Sequence, residues 1–260
     1  MLLSETYDVI VEKLINYYGI NLDQFDDKLY IENYKNFNNN IGTIYESIDL
    51  DEGFGAKLRP IFVILLYSDT TFDHIAEKIV KGQKYWHAAL VFGPALSRTY
   101  SFNFGQANAN KFKGGLSFES LKMYKDSNPT GTMEVSCILV KPEKYKQIKQ
   151  VLDYYIRNKE KTKYSFINLF CSLFGIKTKN GLKMNLVCST FVDTVLKAVD
   201  IYLNTNKSTN LTKADDLATN SSKKQFKIYN GPILKYNLEK AANIVEKLSN
   251  NIENDYFYKK

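Results

Sequence analysis

The chain has 260 residues, 44% of them hydrophobic, 14% aromatic and 24% charged; the length suits one large domain or a domain with an appendage, and the composition is globular and excludes a disordered chain. Lys and Arg number 35 against 28 Asp and Glu, a net charge of +7. That excess suits an anionic partner, but the cations are Lys scattered among Asn, Tyr and Ile, with no Arg-rich stripe or nucleic-acid motif, so it reads as a solvated surface.

The opening MLLSETYDVIVEK has no basic start and no uninterrupted apolar stretch, so no signal peptide is expected. The longest clean apolar run, Ile61 to Tyr67, is far short of the roughly 20 residues that span a bilayer. A soluble protein, cytoplasmic or virion-associated, is the expectation. Cys137, Cys171 and Cys188 are odd in number and share no CxxC spacing, and His74 and His87 are the two histidines. Neither a disulfide framework nor a zinc site is implied, no cofactor is expected, and any cysteine chemistry is thiol chemistry.

In chain order, Ser4 caps an expected helix over 5–18, and a second covers 23–36. The Asn-rich stretch at 36–40 and the glycines at 53 and 55 mark loops, which makes residues 1–55 a helical appendage. The main domain, 58–236, opens with a buried strand at Ile61–Tyr67, followed by a helix from Thr70 or Thr71 toward Gly82. Trp86–Phe92 and Arg98–Phe104 read as a hairpin across the turn Gly93-Pro94. Beyond Gly114-Gly115 a short helix is expected from Ser117, then a strand at Met133–Val140 and a helix starting at Pro142. Further helices are expected at Ser165–Phe174 and from about Leu186 to Ile201. Residues 204–224 form a surface loop with one turn at Ala214–Leu217, Phe226–Tyr229 is a last strand, and 237–260 form an amphipathic helix and tail. Strands in the middle with helices before and after make the fold class α+β.

Two positions carry chemistry. In NLVCSTFV, Asn185 as N-cap would place Cys188 in the first turn of a helix, where the macrodipole and free N–H groups favour a thiolate and can stabilise an oxyanion. Cys188 also shares a stripe with Phe191, Val192 and Val195, so a buried core cysteine is the alternative. His87 sits in the apolar strand WHAALVF, as a core histidine or as the base of a Cys-His pair that needs a third polar group to fix the ring. The next strand places Thr99, Ser101 and Asn103 on one face, and any of them could orient His87. Cys137 and Cys171 lie in apolar segments and read as core, and His74 has no cysteine context.

The order WHAALVF, TYSFNF, GGLSFES and, much later, CSTFV resembles the circularly permuted NlpC-type papain-like cysteine peptidases, in which His precedes Cys along the chain. Relatives of that group include the YiiX-like hydrolases and, more distantly, lecithin retinol acyltransferase. The resemblance takes in PIFVILLYSDTTFDHIAEKI and, more loosely, Lys213-Ala214-Asp215-Asp216-Leu217 with FKIYNGPILKY. It implies a papain-like antiparallel sheet packed on helices, Cys188 as nucleophile and His87 as base. Ser101 comes first for the orienting role, then Asn103 or Thr99. Tyr164 resembles a Tyr that lines such sites, a core Tyr being the alternative. Glu119 falls where relatives carry an acid, a solvated Glu at a helix start being the simpler account. With Trp86 these two are the expected substrate-side residues.

The resulting expectation is a cysteine peptidase or amidase acting on an amide, cell-wall peptide included, through a Cys188 thioester. Alternatives are a non-catalytic virion or phage-tail component that meets protein partners through residues 1–55, and acyl transfer or thioester cleavage on lipid.

Overall fold

The computed structural model describes residues 58–67, 82–104, 114–165, 184–203, 209–219 and 225–258. The expected helices at 5–18 and 23–36, all but the last residue of the one from Thr70 or Thr71 to Gly82, and all but Ser165 of the one at Ser165–Phe174 lie outside the described residues, as do His74 and Cys171.

The described architecture is α+β, an antiparallel sheet between helices. Strands β1 (Arg59–Tyr67), β2 (His87–Val91), β3 (Thr99–Phe104), β4 (Gly114–Glu119) and β5 (Thr132–Val140) form it with β8 (Gln225–Pro232), in the order β4-β3-β2-β1-β5-β8. Every neighbouring pair is antiparallel. β1 is the only long unbroken apolar strand among these, because it lies between β2 and β5 and buries both faces; Ile61 to Leu65 have no exposed surface. Two short strands, β6 (Lys163–Tyr164) and β7 (Asn185–Leu186), pair in parallel beside it.

Alternation along the strands sends side chains to two cores. Ile61, Val63, Ala88, Leu90, Tyr100, Phe102, Leu116 and Phe118 pack with helices α2 (Pro142–Arg157) and α3 (Cys188–Lys197). Phe62, Ile64, Ala89, Val91, Val135 and Cys137 face the other way, against Tyr124 of α1 (Leu121–Ser127) and Ala241 and Val245 of α4 (Leu238–Tyr258). The terminal helix therefore belongs to the packed body. No described helix is long and apolar enough to cross a membrane.

Two local expectations are corrected. The segment after Gly114-Gly115 is a strand through Glu119, and the helix starts at Leu121, where Ser120 accepts the Met123 N–H as N-cap. Leu116 and Phe118 enter one core while Ser117 and Glu119 take the opposite face, a period of two that no helix accommodates. Asn185 does not cap α3, because its backbone is committed to β7; Val187 is the N-cap, its N–H held by the Thr190 hydroxyl at 2.9 Å.

Candidate active site

Cys188 is the first residue of α3. The helix begins where it does because β7 hands the chain over directly: Tyr164 pairs with Leu186, and the Ser165 N–H bonds the Leu186 carbonyl at 3.0 Å. The first bond of the helix runs from Phe191 N–H to Val187 C=O, so the Cys188, Ser189 and Thr190 N–H groups have no intrahelical acceptor and concentrate positive potential around the thiol. The sulfur lies 3.7 Å from the Trp86 carbonyl, and Cys188 is near enough to the His87 ring to help raise the imidazole.

His87 is the first residue of β2, at the strand end that meets the α3 N-terminus. Its Nε2 lies 2.8 Å from Glu119 Oε2. A carboxylate only accepts, so Nε2 carries a hydrogen and Nδ1 is the nitrogen left to exchange a proton with sulfur.

Glu119, at the end of β4, has no exposed surface. Three good donors replace the water it has lost: His87, the Tyr124 hydroxyl at 2.6 Å to Oε2, and Asn103 Nδ2 at 3.0 Å to Oε1. The Ser117 hydroxyl adds a 3.4 Å contact to Oε1 while donating more closely to the Ser101 carbonyl, at 3.1 Å. Since Tyr124 gives its hydrogen to Glu119, the 2.8 Å contact between Tyr124 and Thr99 is a donation from Thr99. Burial alone would raise the Glu119 carboxyl, but the His87 charge and the hydrogen bonds outweigh it and hold the group below its ordinary range. Burial likewise opposes protonation of His87. The Glu119 charge and the bonds to Cys188 and Glu119 overcome that and raise the imidazole well above its ordinary range.

The structure thus brings together Cys188, His87 and Glu119, with Asn103 one bond further out. Ser101, expected first as the orienting residue, instead donates to the Ala88 carbonyl at 2.7 Å and ties β3 to β2. Asn103 donates to Glu119 and Thr99 to Tyr124, so both support the acid. Glu119 is not a solvated helix-start residue; it is a buried strand residue in contact with the imidazole. Trp86 supplies a main-chain carbonyl, while its indole N–H is buried without a hydrogen-bond partner. Tyr164 is buried in the same core as Cys188 and Phe191. Cys137 is enclosed in the other core, where burial pushes its thiol up to about 12.

Sequence reasoning passed over Tyr124. Its available signal was Ser120, a cap four residues before Tyr124 that puts this ring on the first turn of a helix directly after Glu119. Among the described residues no cluster of His, Cys, Asp and Glu is arranged to hold a metal ion. Compared with known proteins, the chain matches no family model, no curated protein and no solved structure at a significant level.

Proposed function

We propose that this protein is a thiol hydrolase of the papain-like, permuted NlpC type, cleaving an amide or related acyl bond through a thioester on Cys188. The observation that carries the reading is His87, set at the start of β2 beside the helix-start thiol and held at 2.8 Å by the buried, fully hydrogen-bonded Glu119. A nucleophile, a base in the correct tautomer and an anion that fixes the base are the three parts that nucleophilic acyl chemistry needs.

In this scheme the thiol proton already resides on His87 Nδ1, the ring being held protonated by Glu119, and the sulfur attacks the carbonyl carbon. The C–S bond forms, the carbonyl π electrons move to oxygen, and the N–H groups of the first turn of α3 receive the oxyanion. Collapse breaks the C–N bond, and His87 returns its proton to the leaving amine. Water, deprotonated by the same nitrogen, then cleaves the thioester and regenerates the thiol. Glu119 stays ionised throughout and stabilises the imidazolium.

The non-catalytic reading draws on one observation, that Cys188 is only 3% exposed. Alkylation by iodoacetamide, followed by mass spectrometry against pH, separates the two. The hydrolase reading expects Cys188 to be modified at neutral pH well ahead of Cys137, and His87→Ala to remove that advantage. Equal, slow labelling of both cysteines at every pH refutes it.

A further inference from the structure

Cys188 and His87 sit on different elements, and the segment from Thr212 to Thr219, downstream of both, is bonded to the supports of each. On the cysteine side, the Ser189 hydroxyl, adjacent to the nucleophile, donates to the Thr212 carbonyl at 2.7 Å. The Thr212 hydroxyl in turn donates to Asp193 on α3 at 3.0 Å, and Asp193 is paired with Lys197 at 2.7 Å. On the histidine side, three residues later, Asp215 accepts two successive backbone N–H groups, Lys84 to Oδ2 at 2.8 Å and Tyr85 to Oδ1 at 2.6 Å.

The Asp215 bonds fall on an unpaired stretch, for β2 begins only at His87. With the Trp86 N–H bonded to the Leu66 carbonyl at 2.9 Å, three consecutive N–H groups before His87 are fixed. The carbonyl that follows them is the Trp86 oxygen that the Cys188 thiol meets. The segment is itself held down. Ala214 and Leu217 are buried in the core that contains Cys188, and Gln225 donates to the Leu217 carbonyl at 2.9 Å. The Thr219 N–H and hydroxyl both bond Glu134 on β5, whose other oxygen receives the Tyr85 hydroxyl at 3.2 Å.

We infer that residues Thr212 to Thr219 form a strap that sets the spacing of thiol and imidazole, with Asp215 as its positioning residue. The inference rests on the hydrolase reading above. Asp215 touches no reacting atom; it acts by holding the Lys84-Tyr85 peptides, and through them the Trp86 carbonyl and His87, against a helix end anchored three residues away along the same strap. Asp215→Asn is nearly isosteric but presents an N–H₂ group to one of the two backbone donors, so it breaks the clamp without opening a cavity.

The test is the pH profile of Cys188 alkylation by iodoacetamide in the full chain, compared among wild type, Asp215→Asn, Ser189→Ala and His87→Ala, with circular dichroism confirming that each is folded. The expected result is a loss of about 10- to 100-fold of the His87-dependent rate in Asp215→Asn, the scale of an ångström-level misplacement, and a smaller loss in Ser189→Ala. A merely structural Asp215 lowers the unfolding temperature and leaves the profile of the folded protein unchanged; that outcome overturns the strap. Should Asp215→Asn fail to fold, Ser189→Ala decides, and a wild-type profile there overturns it equally. If the wild type itself has no His87-dependent reactivity, the hydrolase reading has failed; if it does and Asp215→Asn retains it, the strap alone has failed.

Discussion

Replacing Glu119 by Gln changes the volume of the site very little and removes the charge that fixes the imidazole. The Gln amide nitrogen, placed where Oε2 stands, donates to His87 Nε2 and leaves the ring one hydrogen, on Nδ1, so the imidazolium of the proposed scheme loses its partner. Tyr124 can reverse its bond and donate to Thr99, so the network stays satisfied while the tautomer becomes wrong. The expected outcome is a fall in hydrolysis of about 10⁴-fold, the loss seen when the acid of a nucleophile-His-acid triad is made an amide. The alkaline limb governed by His87 should also move down toward the ordinary imidazole range, because the charge that raised it is gone. Kinetics against pH with a generic thiol-hydrolase substrate check both, and unchanged limbs would remove Glu119 from the mechanism. At this scale the sequence pointed to Cys188 and His87 from their local settings, a helix start and a polar residue in an apolar strand. It placed Thr99, Ser101 and Asn103 correctly on one face. It could not rank them, since which hydroxyl reaches an imidazole depends on sheet curvature and on the neighbouring strand, neither of which the period-two pattern encodes. The alternation in GGLSFE, Leu116 and Phe118 against Ser117 and Glu119, was the missed sign that an acid joins that same face.

The elements that carry the site are joined through one close approach. On β4, Gly115 lies against Thr162, whose hydroxyl accepts the Leu116 N–H at 2.9 Å and donates to the Lys159 carbonyl at 2.6 Å. Thr162 leads into β6, β6 pairs with β7, and β7 ends one residue before the N-cap of α3. A Cβ at Gly115 would run into the Thr162 hydroxyl and lie 2.7 Å from its backbone oxygen, which cannot rotate away. Gly115→Ala is therefore expected to destabilise the protein by about 1–3 kcal/mol, as overpacking does, and to slow Cys188 alkylation by displacing the helix start. Urea unfolding and the alkylation rate measure the two effects, and a variant with wild-type values of both would show that β4 does not support α3 in this way. The strands and helices themselves were largely legible, because β1, β5 and the Pro142 helix announce their period and their start. β6 and β7 were not. Two residues make no pattern, and pairing between Lys163-Tyr164 and Asn185-Leu186 is a long-range event that local propensity does not report.

For the molecule as a whole, the buried triad makes stability depend on pH in a direction the two shifts determine. His87 is raised in the folded state, so its contribution is fully present below the ordinary imidazole value of 6.5 and is lost as pH rises from there through the folded value. Glu119 is lowered, so its contribution is present above the ordinary carboxyl value of 4.5 and is lost as pH falls below it. Glu134, lowered chiefly because the Thr219 and Lys227 bonds outweigh its burial, follows Glu119. Asp215 runs the other way: burial raises it above 3.8, so its ionisation on folding opposes stability as pH climbs past that point, and it softens the acid limb. The pair's stabilisation is therefore greatest between 4.5 and 6.5 and declines toward alkaline pH. Guanidinium unfolding of the wild type from pH 4 to 9 should follow that curve. In the double variant His87→Ala/Glu119→Gln the decline between neutral and mildly alkaline pH should flatten, because neither titrating partner remains. Parallel curves for the two proteins across that range would mean that the imidazole is not held protonated by Glu119 in the folded state, and would leave the thiol without the charged partner on which its proposed reactivity depends.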